Sequence, residues 1–66
     1  MNSLATELPK EQARVRELID IYKSVPFGSI AAGFMEQALK EADKAVMSGD
    51  VVAMLRAYEE LKGFKE

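Results

Sequence analysis

Apolar residues recur at every third or fourth position along three stretches of the chain, with polar residues between them. In PKEQARVRELIDIYK, Val15, Leu18, Ile19 and Tyr22 share one stripe, while Arg14, Arg16, Glu17 and Asp20 fall mostly outside it. Pro9 suits the first position of a helix, where its missing N–H would be unpaired in any case, and Glu11 favours the positive end of the helix dipole. This pattern predicts a first helix over about residues 9–23. Its end is marked by KSVPFG, in which Pro26 disfavours helical geometry at Val25 and Gly28 permits a turn.

The second stretch, SIAAGFMEQALKEADKAVM, predicts a helix over about residues 30–47 with Ser29 as its N-cap. Ile30, Phe34, Ala38, Ala42 and Val46 repeat every four residues, and Met35 and Leu39 run beside them, giving an apolar arc of roughly 140°. An arc that wide covers two neighbours rather than one. Glu36 and Lys40 stand as an i,i+4 pair on the opposite, wet face. After it, SGD combines a stop with a start: Gly49 can take the left-handed conformation that closes one helix, and Asp50 can cap the next. The third helix is expected over about residues 51–62, with Val51, Met54, Leu55, Tyr58 and Leu61 on one face and Phe64 able to fold back. Nothing alternates with period two for long enough to make a strand. The fold class is therefore all-α: one small domain of three short helices spanning residues 1–66, the last two forming an antiparallel hairpin.

Length changes this picture. A chain of 66 residues is short for a monomer stabilised by one hydrophobic core, and such chains usually rely on disulfides, metal or a second subunit. With no cysteine and no histidine, disulfides and the commonest metal ligands are excluded, which leaves oligomerisation. The apolar arcs point the same way, because three helices of this length cannot cover all of them. A homodimer is expected. Its candidate interface is Ile21, Phe27, Met35, Leu39 and Met54, with Phe34, Leu55 and Tyr58 more central to the fold.

Charge and motifs supply little chemistry. Eleven acids and nine bases give a net charge of −2, spread evenly, so no field is evident that would recruit nucleic acid or an anionic membrane. Three short helices are also the shape of helix-turn-helix domains, but the last helix would bring Glu59 and Glu60 toward phosphates along with Arg56 and Lys62. Gly28 and Gly33 have the spacing of a P-loop, yet Phe34 and Met35 stand where that motif needs Lys and then Ser or Thr. Glu59 and Glu60 are adjacent and diverge by about 100° on a helix, so they cannot flank one substrate. Without an imidazole, a thiol or a complete nucleotide motif, neither an enzyme nor a cofactor is expected. Met35, Met47 and Met54 read first as core fillers and second as part of an adaptable binding surface. The longest apolar run falls well short of a membrane span, and the first residues show no basic region followed by an apolar core, so a cytoplasmic protein is expected.

From Phe27 onward, the small-residue helix start, the alanine-rich helix ending in SGD and the segment VVAMLRAYEELK resemble small uncharacterised acidic helical proteins of temperate bacteriophages and prophages. The resemblance implies no catalytic residues. It implies an accessory protein that binds and modulates a host protein, acting in the cytoplasm of the host cell. A small dimeric DNA-binding regulator and a structural component of a larger assembly are the alternatives.

Overall fold

The computed structural model describes residues 3–65; Met1, Asn2 and Glu66 of the expected 1–66 domain lie outside them. The described residues form three α-helices and no strand: α1 (Leu4–Lys23), α2 (Gly28–Ser48) and α3 (Val51–Lys62).

Helix α1 begins at Leu4, five residues before the expected start at Pro9. Ser3 is the N-cap, its backbone extended and its side-chain oxygen accepting from the Thr6 amide at 3.3 Å. Pro9 therefore lies inside the helix, where it withholds the N–H that the Ala5 carbonyl would otherwise accept. What carries the helix past this defect is burial. Leu8 is fully buried and Leu4 packs against the core, so the apolar stripe of α1 runs upstream of the proline as Leu4 and Leu8 before continuing through Val15, Leu18 and Ile19. Fully burying a leucine is worth about 1.5–3 kcal/mol, so Leu8 together with the partly buried Leu4 is of the size needed to offset the roughly 3 kcal/mol that an interior proline costs.

Helix α2 also starts earlier than expected, and Ser29 is not its cap. Phe27 occupies that position with φ 65°, in the left-handed region, and Ser29 lies in the first turn. Gly28 is forced by its neighbours: a Cβ there would sit 1.7 Å from the Tyr22 carbonyl oxygen and 2.7 Å from Val25 Cγ2. The glycine thus permits the end of α1 and the start of α2 to touch, which is a packing role and not a ligand loop.

The buried stripe of α2 is Gly28, Ala32, Met35, Ala38, Leu39, Ala42 and Ala45. This departs from the expected line, because Ile30 and Phe34 are exposed while Met35 and Leu39 enter the core. The stripe steps by three and four, following the true helical period, whereas the every-fourth-residue line coincides with the buried face only at Ala38 and Ala42 and drifts off it at both ends, leaving Val46 exposed as well. Met35 and Leu39 are consequently core residues of the single chain and have no free surface for a second copy. Leu55 shows the same reversal on α3: it is exposed, and Ala57 and Leu61 are the buried residues there.

The turn between α2 and α3 matches its sequence. Gly49 has φ 69°, its N–H donates to Val46 O at 3.2 Å, and the Asp50 N–H donates to Ala45 O at 3.3 Å, which together make a Schellman motif. Asp50 Oδ1 then accepts from the Ala53 amide at 3.1 Å and caps α3.

Polar contacts fix how the helices lie. Gln12, only 8% exposed, donates through Nε2 to Asp43 Oδ1 at 2.9 Å, and Lys23 pairs with Glu36 at 3.4 Å, so α2 returns along α1. From α1, Arg14 donates to both Leu61 O and Phe64 O at 2.8 Å and is itself held by Glu11 at 3.0 Å. This guanidinium adds a charge-assisted bond to the Leu61 carbonyl, which also accepts from the Phe64 N–H at 3.2 Å, and so ties α1 to the chain leaving α3. Tyr22 adds a hydroxyl bond to the Lys65 carbonyl, and Phe64 folds back against the core.

Candidate protein-binding surface

Among the described residues, eight charged side chains form four surface pairs. Lys10 meets Glu7, Arg14 meets Glu11, Arg16 approaches Asp43, and Lys23 meets Glu36. Such pairs on exposed faces contribute little to stability. Glu59 and Glu60 are both exposed on α3, and no group of three acidic side chains suited to a metal ion occurs among the described residues.

What the surface does offer is apolar side chains, at two places. One is the start of α2, where the α1–α2 connection and the first turns of the helix carry Val25, Phe27, Ile30 and Phe34. Ser24 closes α1 through bonds to Ile21 O, from its N–H at 3.1 Å and its hydroxyl at 2.6 Å, and Gly28 N–H donates to Val25 O at 3.1 Å. These bonds hold a tight connection whose effect is to turn Phe27 outward, 89% exposed. Ile30 and Phe34 follow one turn apart on the outer face of α2, each 67% exposed, with Gly33 and Gln37 between and beside them in a shallow cleft of about 370 Å³.

The other place surrounds the α2–α3 turn. Val46 and Met47 at the end of α2 and Val51, Val52 and Leu55 on α3 are all exposed, Met47 at 87%. Met47 also lines an open cleft of about 580 Å³ together with Glu41, Lys44, Ala45, Ser48 and Ala53.

The five expected interface residues are thus divided. Phe27 is on the first surface, Ile21 is half-exposed near the end of α1, Met54 is partly buried against the core, and Met35 and Leu39 are inside it. Residues that the periodic reading assigned elsewhere, Ile30, Phe34, Val46, Val51 and Leu55, are the ones that reach solvent. One sequence signal points to the first surface directly: from Ser24 to Met35 the chain carries no charged residue, in a sequence that is 30% charged.

Comparison with protein families, with curated proteins and with solved structures yields no match to this chain.

Proposed function

We propose that this chain is a small non-enzymatic protein-binding module that works as a homodimer, with α2 and α3 forming an antiparallel hairpin whose turn presents the partner-binding surface. The carrying observation is the cluster around that turn, where Met47, Val51, Val52 and Leu55 are exposed together. Small proteins seldom leave several large apolar side chains adjacent on the surface unless something covers them. Met47 suits the purpose, since its flexible, polarisable side chain adapts to the shape it meets. The hairpin arrangement is supported by the two-residue connection and by clefts in which Phe34 lies near Phe64 and Glu41 near Ala53.

The resemblance to phage and prophage accessory proteins makes a host protein in the cytoplasm the proposed partner. The test uses the purified chain as bait in host lysate, with Met47→Glu and Val52→Glu as paired controls whose exposed positions should preserve the fold. A single host protein, retained by the wild type and lost from both variants, is expected. Equal recovery on all three baits, or no recovery on any, would refute the assignment of this surface.

A further inference from the structure

Two residues at the start of α2 break local rules of backbone stability, and the described residues show no packing that compensates for either. Phe27 adopts φ 65°, a conformation that suits glycine or asparagine and strains a bulky side chain, yet the residue is 89% exposed. Gly33 sits inside a helix, where glycine is among the poorest residues, yet a Cβ built on it meets nothing within 4 Å. Alanine would serve α2 better at 33, and asparagine would serve the connection better at 27. Exchanges of this kind without a local gain are characteristic of surfaces under a second constraint.

We infer that this constraint is a second copy of the chain, with α2 crossing α2 of its twin about a two-fold axis at Gly33, and Phe34 of each copy lying over the glycine of the other. The area fits. Val25, Phe27, Ile30 and Phe34 together expose roughly 500 Å² of apolar side chain, taking typical residue areas and the exposures above. That is about a tenth of the 4658 Å² surface, and two copies that covered all four side chains would bury about 1,000 Å², the threshold at which a biological interface begins. Charge also selects this face. A two-fold contact sets each residue near its own kind, so like charges repel across it, and the uncharged run from Ser24 to Met35 avoids that repulsion. Gly33 beside Phe34 provides a notch next to a knob, the self-complementary shape that such a contact needs.

The need is visible in the core. Five of its twelve buried hydrophobic residues are alanines, which bring little apolar area, so a dimer interface would supply burial that the single chain lacks. The proposal rests on the homodimer reading above and names the interface for it; it assigns the α2 start to self-association and leaves the α2–α3 turn for the other partner.

Sedimentation equilibrium of the purified chain tests it across a dilution series, together with Gly33→Leu and Gly33→Cys. The expected mass at micromolar concentration is twice 7.3 kDa. Gly33→Leu should weaken association by about tenfold or more while leaving the melting temperature of a dilute sample unchanged or raised. Because the chain has no native cysteine, Gly33→Cys should oxidise in air to a disulfide-linked dimer, which requires the two Cα atoms to come within about 7 Å. Met47→Cys is the control and should cross-link far more slowly. A 7.3 kDa species that persists at high micromolar concentration overturns the proposal. So does a dimer that tolerates Gly33→Leu or cross-links faster through position 47. The experiment contains no host protein, so its failure leaves the lysate result standing, and a failed capture leaves the dimer standing.

Discussion

Adding one methyl group at two glycines of the same helix should move stability in opposite directions. At Gly28 the new Cβ would lie 1.7 Å from the Tyr22 carbonyl oxygen and 2.6 Å from its carbon, both backbone atoms, where ordinary contact begins near 3.4 Å. No rotamer change can relieve an overlap with backbone. The ends of α1 and α2 must separate by more than an ångström, stretching the 3.1 Å bond from Gly28 N–H to Val25 O and disturbing Phe27 in its left-handed conformation. Overpacking of this kind costs about 3 kcal/mol or more, against a total stability of about 3–5 kcal/mol for a chain this small. Gly28→Ala is therefore expected to lose most of the stability of the fold, with its urea midpoint far below that of the wild type. At Gly33 the same methyl meets nothing within 4 Å, and alanine should stabilise the helix by about 0.5–1 kcal/mol. Urea unfolding followed by far-ultraviolet circular dichroism, at a dilution where self-association contributes nothing, measures both changes. A neutral or stabilising Gly28→Ala would refute the close approach of α1 and α2 on which this reasoning stands, and a destabilising Gly33→Ala would refute the open space at that position.

Gly49→Ala should cost about 1–2 kcal/mol, because φ 69° is unfavourable for a residue with a Cβ; unchanged or increased stability in the same urea assay would instead favour one continuous helix through the turn. Leu8→Ala should cost about 2–5 kcal/mol because the side chain is fully buried upstream of Pro9, whereas a loss below about 0.5 kcal/mol would show that α1 does not pack there.

The parts of the fold that were legible in the sequence are those where a single residue type has a local reason. Gly49 and Asp50 announce a stop and a start through their own backbone preferences, and the structure places both in those roles. The start of α1 was not legible in the same way. Pro9 is a strong local signal for a first turn, but the energy that overrides it comes from Leu4 and Leu8 against residues of other helices, which no local rule contains. Ser29 misled for a related reason. A serine before an apolar run is a good cap by itself, yet the close approach of Gly28 to Tyr22 moves the helix start one residue upstream of it and gives the cap position to Phe27.

The candidate surface was obscured by the same kind of error, and its correction bears on function. Along α2, large side chains and alanines alternate, and a reading that weights size puts Ile30 and Phe34 inside. Packing selects differently: the face that meets both α1 and α3 is built from Ala32, Ala38, Ala42 and Ala45, whose small side chains let the helices approach, with Met35 and Leu39 filling the space between. Once that face is chosen, helical geometry leaves Ile30 and Phe34 no place in the core, and they must reach solvent or a partner. The alanine-rich core and the apolar exterior are thus one property of α2. A chain that spends its small residues on close internal packing carries its large ones outward, and the uncharged run from Ser24 to Met35 keeps that outward face compatible with a second copy of itself.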